Sequence, residues 1–171
     1  MKNAKETREK VFISYANRER AFVEQLVKEL SLHGYEAQAD WMLKQGTDWK
    51  REIRHGLQTA DAVLLVVGRG PRGEQRQEWA VALEAKWKDP QMLLIPILLD
   101  NARVPSFLSR FPALKTDPDD VSGAVKKVLR AFAAARSGPD RRPVRADREE
   151  SLKRGKRLEY IEKAAESLRS R

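Results

Sequence analysis

The sequence predicts an α/β fold: a flavodoxin-like, doubly wound, five-stranded parallel sheet with a basic C-terminal helical tail. Three observations carry this. Short apolar runs alternate with helix-like segments about five times, the pattern of repeated βα units. One of those runs, Ala62–Val67, is apolar at every position, as a parallel strand buried on both faces should be. A third, Val11–Tyr15, passes directly into a polar turn and then an amphipathic helix, the kind of junction at which open α/β sheets bind ligands.

Taken in order, Val11–Tyr15 is the first strand. The helix after it places Phe22, Val23, Leu26, Val27 and Leu30 on one face and ends at His33-Gly34, glycine being the common residue just past a helix. Tyr35–Ala39 makes a weaker second strand. A loop from Asp40 to Asp48 leads to a helix with Trp49, Ile53 and Leu57 at successive i,i+4 positions. Ala62–Val67 is the third strand, broken by the glycines of Gly68–Gly73, and a helix runs from about Glu74 to Lys88. Met92–Leu99 is the fourth strand, its Pro96 tolerable only near an edge or a bulge. A helical turn at Ser106–Arg110 precedes a poor fifth strand at Ala113–Thr116. Asp117 then serves as N-cap and Pro118 as first residue of the last helix, whose apolar face is Val121, Val125, Val128, Leu129 and Phe132. The expected strand order is 2-1-3-4-5. The switch point then falls between strands one and three, flanked by Ser14–Arg18 and Gly68–Gly73, and is the default site.

These elements divide the chain into an N-terminal tail (1–8), one domain (9–136), a Gly/Pro-containing linker (137–147) and a charged helical tail (148–171). In that tail Leu158, Ile161, Ala165 and Leu168 keep helical spacing with nothing of their own to pack against. Docking, self-association or a chain continuing beyond Arg171 would each account for the stripe, so a sensor domain or protein beyond the C-terminus is an expected partner.

Composition removes several classes. No apolar run approaches the ~20 residues of a membrane span, and 35% charged residues with a mean hydropathy of -0.65 agree, so no membrane partner is expected. The first residues lack the apolar stretch of a signal peptide, and cysteine is absent, which excludes a disulfide framework or a thiolate metal site; the cytoplasm is the default compartment. The net charge of +9 raises a nucleic-acid reading, but most basic residues stand beside acidic ones, as in Asn17-Arg-Glu-Arg20, and the basic tail has no interleaved aromatics. Nucleic acid is therefore not an expected partner, and a mixed solvated surface is the plainer account.

Gly68-x-Gly-x-x-Gly73 matches a dinucleotide fingerprint in form only. It follows the third strand, Pro71 removes a backbone donor, and Asp100 lies too far downstream to be the expected acid. Ser14-Tyr15 and Val67-Gly68 stand where a response-regulator receiver needs acids. His33 and His55 read as a helix-end and a surface residue, so no metal site is expected.

Three segments together resemble a known family. Val11-Phe-Ile-Ser-Tyr15 with Asn17-Arg-Glu-Arg20 resembles the first box of TIR (Toll/interleukin-1 receptor) domains; Asp40-Trp41 through Leu43-Lys44-Gln-Gly46-Thr-Asp-Trp49 resembles their BB loop; and Glu78-Trp-Ala-Val-Ala-Leu83 with Ile95-Pro-Ile-Leu-Leu99 resembles their third helix and fourth strand. The resemblance covers about Glu9 to Ala135 and is closer to the prokaryotic type. It implies either an enzyme that hydrolyses or cyclises NAD+, typically in anti-phage immunity, or a non-catalytic scaffold that signals by TIR–TIR contact. In the enzymes a third-helix glutamate faces the crevice, and NAD+ is the substrate, with no further cofactor. Here that glutamate is Glu78, with Glu84 as the alternative almost two turns later. An aromatic often precedes it by four residues; Glu74 holds that place, and Trp79 reads as core. The implied substrate-binding residues are Ser14, Tyr15, Arg18, Trp41 and Arg69, and Trp49 also shares the packing face of Ile53 and Leu57. Homotypic assembly would use the BB loop, with Leu43, Lys44, Gly46 and Trp49 at the contact. Ser14 has a second reading, as a cap for the first helix.

Overall fold

The structure is a computed structural model that describes residues 8–39, 49–69 and 75–137, without the side chains at 17, 49–50, 75–78 and 107. Five parallel strands form one sheet in the order β2-β1-β3-β4-β5: β1 Lys10–Ser14, β2 Glu36–Ala39, β3 Ala62–Val67, β4 Leu93–Leu99 and β5 Leu114–Thr116. Among the described residues, α1 Arg20–Leu32, α2 Trp49–Thr59 and α3 Gln75–Lys88 connect the first four strands, a 3-10 turn at Ser106–Leu108 lies between β4 and β5, and α4 Val121–Arg136 follows β5. The predicted flavodoxin-like, five-stranded parallel sheet, its strand order and its switch point are all present. The linker and tail assigned to 137–171 lie, beyond Ser137, outside the described residues.

Alternation along the strands builds two cores. Val11, Ile13, Tyr15, Leu64 and Val66 face α1 and α4, where Phe22, Val23, Leu26, Val27 and Leu30 pack beside Val125, Val128 and Phe132. Phe12, Val63, Leu65 and Val67 face α2 and α3, packing with Ile53, Leu57, Trp79, Ala82 and Ala85. β3 is buried at all six positions because it feeds both cores. α1 ends as its sequence predicts: Gly34 takes φ +87°, the Tyr35 N–H donates to the Leu30 carbonyl at 3.1 Å, and the Gly34 N–H donates to that of Ser31 at 3.1 Å. Pro96 is accommodated because β5 pairs only with Ile97–Leu99, so β4 has β3 alone beside it at the proline.

The start of the last helix differs from expectation. The N-cap is Asp120, whose carboxylate accepts from the Gly123 N–H at 2.9 Å; Asp117 is not the cap. Asp117 and Pro118 instead belong to a preceding turn closed by the Asp120 N–H on the Asp117 carbonyl at 3.0 Å, and that turn delays the helix to Val121. No helix among the described residues is long and apolar enough to cross a membrane.

Candidate functional site at the C-terminal edge of the sheet

Parallel topology gathers the ends of β1, β3 and β4 at one edge, where α1 and α3 begin. Ser14, the last residue of β1, is fully buried and pairs in register with Leu65. By alternation it shares the α2/α3 face with Phe12, and its Oγ has no hydrogen-bond partner among the described residues. It does not cap α1: the cap position is Glu19, the last residue of a 3-10 turn at Asn17–Glu19. Tyr15 points to the opposite face and is 6% exposed within the α1/α4 core. Ser14 and Tyr15 are thus adjacent in sequence and separated by the sheet.

Arg18 and Arg69 are exposed at this edge. Arg69 Nε stands 3.5 Å from Asp100 Oδ2, both side chains more than half exposed. Asp100 and Asn101, just past β4, hold φ of 51° and 53°, a left-handed conformation that non-glycine residues rarely adopt. Glu19 meets Gly68 from across the switch point: a Cβ on that glycine would fall 1.9 Å from Glu19 Oε1. Burial raises the Glu19 carboxyl above its ordinary pKa; Arg18 opposes the rise and Asp100 adds to it.

On α3, Trp79, Ala82 and Ala85 are buried, which fixes the sheet-facing side of the helix. Position 78 precedes Ala82 by four residues and Ala85 by seven, so it shares their stripe in the first turns of the helix, nearest the C-terminal edge. Its side chain lies outside the described ones. Glu84 is only 10% exposed and is engaged, with Oε1 2.8 Å from Lys88 Nζ and Oε2 3.8 Å from Arg54 Nη1 on α2. It therefore staples α3 to α2, about 9 Å along the helix axis from position 78.

Residues 11–129 match the family described as the TIR domain. This chain belongs to the TIR-domain family. A solved TIR domain, that of the Toll-related receptor TRR-2 from the lower metazoan Hydra magnipapillata, superposes with a TM-score of 0.53 at 20% identity, covering 74% of this chain and 98% of that one. At that identity the likeness is one of fold. No curated protein sequence matches the chain.

Within the TIR domain, the remaining expected residues are placed unevenly. Trp41, Leu43, Lys44 and Gly46 of the BB loop lie outside the described residues, as does the side chain of Trp49 at the start of α2. Trp79 is 1% exposed, in the core as its spacing predicts. A groove of about 380 Å³ between α2 and the β1–β2 edge, lined by Lys10, Phe12, Glu36, Glu52 and His55, lies toward the strand beginnings, away from the switch point. No group of three or more His, Asp or Glu suited to a metal occurs among the described residues. Two residues at the edge escaped the sequence reading: Glu19, taken as part of a solvated run, and Asp100, set aside with the dinucleotide fingerprint. The available signal for Glu19 was the glycine directly ending a central strand at the switch point, which implies a close approach by something across it.

Proposed function

We propose that this TIR domain cleaves the nicotinamide–ribose bond of NAD+, by hydrolysis or cyclisation, with Glu78 as the reacting carboxylate. The observation that supports this is helix spacing: position 78 stands in the first turns of α3, four residues before the buried Ala82 and seven before the buried Ala85. The alternative, Glu84, is committed to Lys88 and Arg54. Cleavage builds positive, oxocarbenium-like charge at C1′ of the ribose while nicotinamide leaves as a neutral molecule. No general acid is needed; one carboxylate can stabilise the developing charge or activate the attacking nucleophile, a water or a nitrogen of the adenine. Arg18 and Arg69 are exposed at the same edge and suit the pyrophosphate, helped by the amides at the start of α1. The Ser14 hydroxyl is a further polar group there, facing the α3 side.

TIR domains generally assemble through homotypic contacts. On this reading assembly activates the enzyme, through contacts of the segment that includes Leu43, Lys44, Gly46 and Trp49. The setting that suits it is the cytoplasm, in prokaryotic anti-phage immunity, with NAD+ loss stopping growth. A scaffold without catalysis is the second reading, favoured by Glu74 standing where the enzymes often carry an aromatic.

Nicotinamide release from NAD+, followed at high protein concentration with and without a crowding agent, separates these readings. Release abolished by Glu78→Ala and retained by Glu84→Ala is the expected result. The reverse pattern would transfer the role to Glu84, and silence from demonstrably assembled protein would favour the scaffold.

A further inference from the structure

Gly68 ends β3 with a backbone that does not itself require glycine: among the described glycines only Gly34 has positive φ. What requires it is Glu19. A methyl group on the Gly68 Cα would lie 1.9 Å from Glu19 Oε1 and 2.7 Å from its Cδ, so the carboxyl occupies the place of the missing side chain. Glu19 comes from the β1–α1 connection and Gly68 opens the β3–α3 connection; the two sides of the switch point meet through this contact. The next residue, Arg69, is reached from the other direction by Asp100, 3.5 Å away at the end of β4. Gly68 and Arg69 thus each meet an acidic side chain, one from the β1–α1 connection and one from the end of β4, upstream of α3, which begins at Gln75. Partial withdrawal of the Glu19 carboxyl from water, with Arg18 on its own turn and Asp100 from β4 acting on it, agrees with that packing.

We propose that Glu19 is a positioning residue, whose carboxyl clasps the Gly68–Arg69 turn and so fixes where α3 begins and how residue 78 is presented to the crevice. The inference rests on the reading of Glu78 as the reacting carboxylate, and it adds a residue that acts through another, without touching substrate.

The test uses Gly68→Ala, Glu19→Ala, their double variant and Glu19→Gln in the full chain. The alanine methyl at 68 evicts only the end of a flexible side chain, in a backbone conformation alanine can adopt, so the fold tolerates it. Both single changes open the same clasp and their effects do not add. Amide hydrogen exchange over residues 75–79 quickens about tenfold in each single variant and equally in the double, while amides of Leu26 and Val128 keep their protection and report an intact core. Glu19→Gln fills the same space and keeps the wild-type rate. Nicotinamide release follows the same order through kcat, with KM nearly unchanged and activity restored by glutamine. Wild-type exchange in Gly68→Ala, or effects that sum in the double variant, would overturn the clasp. Exchange that changes as expected in a protein releasing no nicotinamide would remove the proposed reaction and leave the clasp standing. Release at unchanged kcat with unchanged exchange would do the opposite.

Discussion

The two edges of the sheet are built by different rules. At the edge where the strands begin, polar groups find partners. The Lys10 N–H donates to Asp61 Oδ2 at 2.7 Å and the Asp61 N–H returns to the Lys10 carbonyl at 2.8 Å. Arg136, in the last turn of α4, donates from Nε to Glu9 at 3.1 Å and from Nη2 to the Tyr35 hydroxyl at 2.8 Å, and the Tyr35 ring lies 5.0 Å from that of Phe132. Lys86, near the end of α3, donates to the Met92 carbonyl at 2.7 Å. Cations in last helical turns also suit the negative ends of the helix dipoles. At the opposite edge, Ser14 Oγ is buried without a described partner, Glu19 holds its carboxyl partly out of water, and Asp100 and Asn101 carry left-handed backbone. Unsatisfied and strained groups persist where surrounding structure holds them, and they concentrate at sites that bind or react. The difference teaches that the strand-start edge anchors the fold, whereas among the described residues the strand-end edge holds a buried hydroxyl without a partner and a carboxyl partly withdrawn from water, groups that the proposed reaction would use or position.

Substitutions can break or sharpen that contrast. The largest effect is expected at the anchored edge: Phe132→Ala should cost about 3–5 kcal/mol in denaturant unfolding, because it empties a 2% exposed site beneath Tyr35. A loss below about 1 kcal/mol would remove the anchor from the account. At the other edge, Ser14→Ala should leave stability unchanged or raise it by about 1 kcal/mol, since it deletes a buried hydroxyl rather than a bond. A clear loss would show that the hydroxyl is satisfied in the native protein. The smallest effect concerns pH. The Glu19 carboxyl titrates above its ordinary value of 4.5 in the folded chain, so its ionisation costs stability that is intact below about that pH and is lost as pH climbs through the raised value. Glu19→Gln, neutral throughout, should match wild type in acid and exceed it slightly at neutral pH in thermal melts; a gap of the opposite sign would mean the carboxylate, not the acid, is the favoured form.

Much of this was readable from local pattern. The five apolar residues of α1, the C-terminal glycine at 34, the all-apolar β3 and the core placement of Trp79 follow from periodicities of two and 3.6, which neighbouring residues carry. The cap at Asp120 was obscured because Asp117, Asp119 and Asp120 offer several carboxylates in one short segment, and the intervening turn decides among them. Glu19 against Gly68 and Arg54 against Glu84 join residues far apart in the chain; nothing in the spacing of either partner points to the other. Alternation alone divides Ser14 from Tyr15, but only the packed helices reveal that Ser14 takes the α3 side and Tyr15 the α1 side.

The most direct measurement is nicotinamide release by assembled protein carrying Glu78→Gln, with assembly and melting temperature followed in the same samples. The account predicts an unchanged fold and assembly with release lost, because only the carboxylate is removed. Wild-type release from that variant would contradict it.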